Sequence, residues 1–121
     1  MTKTGVYALV GATVLSMILS GVGVYLYLFP NITVINNSGK NLSSFVVKLP
    51  SNNLDFGALA NLEENDIYYT RTQANGHYQL TAIFETGKSI SATCGKVKNN
   101  ENHKRVTITL DNAGELSCTE K

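Results

Sequence analysis

Tryptophan is absent from this 121-residue chain, and cysteine, histidine, methionine and proline occur only twice each. The two histidines, His77 and His103, are far apart and have no cysteine or second histidine at ligand spacing, which argues against a zinc or other metal centre. Charge of one sign is missing as well. Ten Lys and Arg stand against nine Asp and Glu, and Lys3 precedes everything else. The rest of the chain is formally neutral, so the basic excess of a nucleic-acid binder is lacking, and so is an acidic tail. No Gly-x-Ser-x-Gly elbow, phosphate-cradling glycine loop or Ser/His/acid grouping occurs. The neighbouring acids Glu63, Glu64 and Asp66 sit in a turn, with nothing to part their pKa values into an acid and a base. The chain is therefore expected to be no enzyme and to need no cofactor.

What is present begins with one long apolar run. Residues 6–29 contain no charge and no proline. Spanning a bilayer takes about 20 apolar residues, so this run is long enough to cross with some tilt. A cleaved signal peptide has an apolar stretch of about 7–15 residues before a small-residue cleavage site. Here the run is longer and leads into Phe29-Pro30-Asn31, although Gly21 and Gly23 mimic such a site. Lys3 and the free amine lie before the run, and no Lys or Arg follows until Lys40. The positive-inside bias then places residues 1–5 in the cytoplasm, residues 6–29 in the membrane, and residues 31–121 outside. Tyr7 at one end, and Tyr25, Tyr27 and Phe29 at the other, suit the two interfaces. Ala8, Ala12, Ser16 and Ser20 recur every fourth residue, a stripe of small side chains that would let another helix approach closely in lipid.

From Asn31 the period changes to two. Ile32/Val34, Phe45/Val47/Leu49, Tyr78/Leu80/Ala82/Phe84, Ile90/Ala92/Cys94 and Val106/Ile108/Leu110 each alternate over a strand length. Turn clusters such as 36–39, 50–53, 99–102 and 111–114 separate them. Asn75-Gly76 predicts a tight hairpin pairing strand 67–73 with strand 77–85, and Thr86-Gly87 predicts the pairing of the latter with 89–94. The stretch from Leu54 to Leu62 is open to an edge strand, a loop or a helical turn. The expected fold is an all-β antiparallel sandwich, Ig-like or a small barrel, of about seven or eight strands.

Cys94 shares parity with Ile90 and Ala92, and Cys118 with Leu116. Two inward cysteines on a non-cytoplasmic domain are expected to pair. Tyr68 and Tyr69 are adjacent in a two-period strand, so one must face away from the core. With Tyr78 they form the candidate partner surface, since exposed tyrosine is enriched at interfaces. A basic cluster, Lys96, Lys98, His103, Lys104 and Arg105, flanks the 99–102 turn. It reads as a solubilising hairpin end, or as a contact for anionic headgroups if the turn faces the membrane. Asn31, Asn36 and Asn41 each open an Asn-x-Ser/Thr triplet, a glycan signal only in a eukaryotic secretory chain.

Short elements recur in a familiar order: Asn36 to Gly39, Phe56 to Leu59, Gly87-Lys88, Cys94 to Val97 and Val106 to Leu110. In these the chain resembles small bacterial membrane-anchored proteins of unassigned function with a β-sandwich ectodomain. The resemblance implies an inner-membrane protein with its domain in the periplasm. The chain also resembles type IV pilins in its short charged leader, apolar helix, β domain and late cysteine pair, with Gly5 where a leader peptidase would cut. It departs from them at Val10, where pilins carry glutamate, and at Pro30, which ends the helix.

The expected function is a non-enzymatic protein-binding domain. It would be either an accessory subunit of a membrane complex or an immunity protein against a secreted toxin. The alternatives are a pilin-like or homo-oligomeric assembly protein joined through the helix, and, last, an envelope hydrolase using His77 or His103.

Overall fold

The computed structural model describes residues 27–121. The expected cytoplasmic residues 1–5, most of the apolar run, and the stripe Ala8, Ala12, Ser16 and Ser20 lie outside the described residues. Among the described residues no helix is long and apolar enough to cross a membrane.

Pro30 cannot continue a helix, and the chain turns directly into strand. Eight strands follow: β1 (Asn31–Asn36), β2 (Leu42–Lys48), β3 (Asn53–Asp55), β4 (Glu64–Tyr68), β5 (Gly76–Phe84), β6 (Ser89–Val97), β7 (Arg105–Leu110) and β8 (Leu116–Glu120). They form two four-stranded sheets, ordered β4-β1-β7-β8 and β3-β2-β5-β6. The inward faces meet in one core. Ile32, Val34, Val106 and Ile108 come from the first sheet, and Phe45, Val47, Leu80 and Ala82 from the second; all are essentially inaccessible.

The alternation of apolar residues places most of these side chains correctly, because one face of each strand is buried and the period of a strand is two. Two bulges break the parity. Between Leu42 and Ser44 the β2–β5 register shifts, so Leu42 and Phe45 both point inward. A second shift opposite Gly76 and Tyr78 lets both Cys94 and Val97 face the core, with Gly95 between them at φ 64°. A side chain at Gly95 would also collide: an added Cβ lies 2.7 Å from Glu120 Oε1 and 3.0 Å from the Tyr78 ring.

Three expectations are corrected. First, the sandwich is not wholly antiparallel. β1 and β7 run parallel, from Asn31 beside Arg105 to Asn36 beside Leu110. The chain visits the second sheet twice between them, through β2–β3 and β5–β6, and a long crossover allows a parallel neighbour where a hairpin does not. Second, strand 67–73 does not form. β4 ends at Tyr68 and pairs with β1, and residues 69–75 cross to the other sheet. Third, Asn75-Gly76 is no hairpin turn. Gly76 does not have a positive φ; it opens β5 against Pro50, whose Cγ lies 2.7 Å from where a Cβ would stand. Its missing side chain admits a neighbour and does not serve a primed turn. The Thr86-Gly87 hairpin forms as expected, with Gly87 at φ 91° and its N–H donating to Phe84 O at 2.9 Å. The open stretch 54–62 supplies edge strand β3 and the bridge Leu42–Leu59.

Cys94 of β6 and Cys118 of β8 are disulfide-bonded, Cα–Cα 6.2 Å, tying an edge of one sheet to an edge of the other.

Candidate interaction surface

The strand directions give the domain two ends. β1 and β7 start at one of them, and β4 and β8 finish there. Loops of the second sheet gather at the same place: Asn100 N–H donates to Arg71 O at 2.8 Å, Gln73 N–H to Asn99 Oδ1 at 3.1 Å, and Ser51 N–H to Gln73 Oε1 at 3.1 Å. The chain enters here from the apolar run, so this is the entry end. The far end gathers residues 36–41, 59–63, 84–88 and 111–115, joined by Asn37 N–H to Leu110 O at 2.8 Å and Glu85 N–H to Asn41 O at 3.2 Å.

At the entry end the last residues of the run are held by the domain. Arg105 donates from Nη1 to Phe29 O at 2.6 Å and from Nη2 to Tyr27 O at 3.1 Å. His103 donates its backbone N–H to Leu28 O at 2.8 Å and Nδ1–H to Tyr27 O at 2.8 Å. Its ring stacks on Tyr27 with centroids 3.7 Å apart, and Arg71 lies 5.7 Å over the Phe29 ring. Carbonyls at a helix C-terminus lack intrahelical donors and attract cations. His103 reaches them from a backbone φ of 52°, unusual for a residue with a side chain.

Beneath this clamp Lys104 is buried. Its ammonium pairs with Glu101 at 2.9 Å and Glu120 at 3.5 Å, donates to Lys96 O, and lies 5.1 Å from the Tyr78 ring. A buried cation needs such compensation, because desolvation alone would be costly.

The three candidate tyrosines separate. Tyr68 is exposed at 42%, on edge strand β4, with the Arg105 guanidinium 5.6 Å over its ring. Tyr69 and Tyr78 are corrected: they are core residues and cannot form a partner surface. Their hydroxyls share a 2.6 Å hydrogen bond across the gap between the sheets. Burial, the hydroxyl of Tyr78 and the charge of Glu101 push Tyr69 upward against the pull of Lys104. Burial pushes the Tyr78 phenol up to about 12, the bond from Tyr69 opposing the rise.

His77 is exposed and donates Nδ1–H to Gly95 O at 2.6 Å; no serine or carboxylate joins it in a hydrogen-bonded set among the described residues. Nor do three His, Cys, Asp or Glu among the described residues converge on a point where a metal ion would sit. Asn31 and Asn36 are buried, so neither can carry a glycan, whereas Asn41 is exposed.

Leu62 was missed by sequence reasoning. It stands 75% exposed at φ 67°, just before β4. The neighbouring Ala60–Glu63 turn fixes it, with Leu62 N–H donating to Asn36 O at 2.7 Å. No alternation flags a lone leucine in a turn. Leu62 precedes β4 and Tyr68 ends it, and the outer edge of that strand pairs with no other strand among the described residues.

No family model matches this chain, and no curated protein is detectably similar to it. Among solved structures it is similar to the NMR structure of a protein from Eubacterium rectale, at 15% identity, covering 75% of this chain and 86% of that one with a TM-score of 0.53. At that identity the similarity is one of fold.

Proposed function

We propose that the chain is a membrane-anchored, non-enzymatic protein-binding domain facing the periplasm of a bacterial inner membrane, and an accessory subunit of a membrane complex. The observation that carries this is the join between run and domain. Arg105, His103 and Arg71 grip residues 27–29 with no linker between them and β1, so the last residues of the run are fixed to the domain. A free toxin-neutralising domain gains reach from a flexible tether. A subunit seated in an assembly gains from a fixed one, since preorganisation lowers the entropy lost on binding. The edge of β4, with Tyr68 and Leu62 beside it, supplies a surface on which a partner strand or loop can pair.

The test is affinity purification of the full-length protein from native membranes, compared with Ala12→Leu/Ser16→Leu and Tyr68→Ala/Leu62→Ser variants. Loss of a partner in the first variant places recognition on the helix, and loss in the second places it on the β4 edge. If no protein co-purifies with the wild-type chain, the subunit assignment falls.

A further inference from the structure

The domain is neutral in sum but not in distribution. β2 brings Lys48 to the entry end, and Arg71 lies in the crossing from β4 to β5. Lys96 and Lys98 close β6, Lys104 and Arg105 open β7, and Lys121 follows β8. Of the acids, Glu101 and Glu120 lie at this end and face Lys104, Asp66 of β4 accepts from Asn31 Nδ2 at 3.2 Å, and Asp55 lies on β3. The far end is the reverse: Lys40 and Lys88 stand among Glu63, Glu64, Glu85, Asp111 and Glu115. Among the described residues Lys104 is the cation with a carboxylate within 4.0 Å, so the others at the entry end are uncompensated by salt bridges.

Three of those cations are exposed beside the Asn75–His77 segment. Lys48 lines one shallow hollow against it, and Lys96 and Lys98 line a second. Both lie at the end where Tyr27 and Leu28, 57% and 38% exposed, lead back into the apolar run.

We infer that the entry end is a docking surface for anionic phospholipid headgroups, which seats the domain flat on the bilayer into which its run inserts. The inference rests on residues 6–29 spanning that bilayer. Charge complementarity carries it: cations without a salt bridge, from five separate segments, converge at the end nearest the anchor, while five of the nine acids gather at the opposite end. Basic side chains beside an anionic surface are attracted within about one Debye length, about 10 Å at 0.1 M salt, and a domain joined without a linker stays inside that range.

The chain has no tryptophan, so Thr72→Trp places a unique fluorophore at an exposed position of the 69–75 crossing. The full-length Thr72→Trp protein is reconstituted into nanodiscs carrying headgroup nitroxide quencher, either in phosphatidylcholine alone or with about 30 mol % phosphatidylglycerol. Incorporation is scored separately by co-elution with the disc. The expected result is about twofold stronger quenching in the anionic discs, lost in about 0.5 M salt and in a Lys48→Glu/Lys96→Glu/Lys98→Glu background with an unchanged thermal melt. Equal quenching in both lipids, or a gain that survives both salt and charge reversal, overturns the docking surface, the first outcome leaving an acidic protein as the occupant. Failure of the chain to incorporate into any disc overturns the anchor as well, and co-elution separates that failure from the others. The salt arm needs no substitution of a lysine, so a poorly folded triple variant does not block the test.

Discussion

Replacing either Tyr69 or Tyr78 by phenylalanine changes volume little but strands the other hydroxyl. Tyr78 is fully buried and Tyr69 4% exposed, and the bond between them is 2.6 Å. A buried polar group that loses its partner costs about 1–3 kcal/mol, whereas removing both partners together is close to neutral. Each single variant is therefore expected to lose about 1–3 kcal/mol, and the double variant to lose less than the sum by about 1 kcal/mol or more. The rings meet edge to face, 77° at 6.3 Å, and phenylalanine retains both rings, so the coupling is expected to belong to the hydroxyls. The assay is urea unfolding followed by circular dichroism at neutral pH, repeated at alkaline pH. The unfolded tyrosines release protons near pH 10, while the folded pair holds them, Tyr78 up to about 12. The folded state then carries the extra protons, so the stability present below pH 10 falls as pH rises from there, by about 1.4 kcal/mol per pH unit for each group. The double variant loses this alkaline slope. Strictly additive single variants, or an unchanged alkaline slope in the double variant, would refute the reasoning.

Reducing the Cys94–Cys118 bridge, or the Cys94→Ala/Cys118→Ala variant, releases a loop of sequence separation 24. The chain-entropy model gives about 3.5 kcal/mol, or a melting temperature lower by about 15–25 °C, read by calorimetry. Gly76→Ala drives a methyl into Pro50 and is expected to cost about 1–3 kcal/mol; Pro50→Ala in the same chain should restore most of it in a thermal melt. Asn36 is fully buried, with Nδ2 directed at the carbonyls of Lys40, Leu59 and Ala60 while Oδ1 accepts from Ser38. Asn36→Asp turns that donor into an acceptor, so denaturant unfolding at neutral pH should show a loss of about 2 kcal/mol or more, greater than for Asn36→Ala, and partly recovered on acidification.

Strands with one buried face were legible in the sequence. β5 and β7 alternate strictly because every second side chain enters the core. β4 was not legible, because Glu64, Asn65, Asp66 and Tyr68 are all exposed and Ile67 alone half-faces the core. A strand buried on neither side leaves no period to read. Leu42 was hidden by the bulge after it, and Asn75-Gly76 pointed to a hairpin because a dipeptide signals a local angle while contact with Pro50 determines the outcome. Adjacent Tyr68 and Tyr69 showed that one faces out, but which one depends on register with β1 and contact with Tyr78. The basic face of the domain was only half visible. Lys96 to Arg105 lie close in sequence, but Lys48, Arg71 and Lys121 reach the same end only through folding, and the net charge hides the separation.

The position of β1 in its sheet bears on how the domain carries load. If residues 6–29 anchor the domain as proposed, a pull on them enters through residues 27–29, which Arg105 and His103 hold, and then through β1, which begins at Asn31. β1 is flanked on both sides, by β4 and by β7. Its ladder bonds lie across the direction of that pull, so they resist as two parallel rows sheared together, not as a zipper opened one bond at a time. The disulfide between β6 and β8 sits outside this path, so traction on the anchor meets the ladder before it meets the covalent tie. A domain strung between a membrane and a partner would behave as a stiff mechanical link, giving way abruptly at high force instead of yielding gradually.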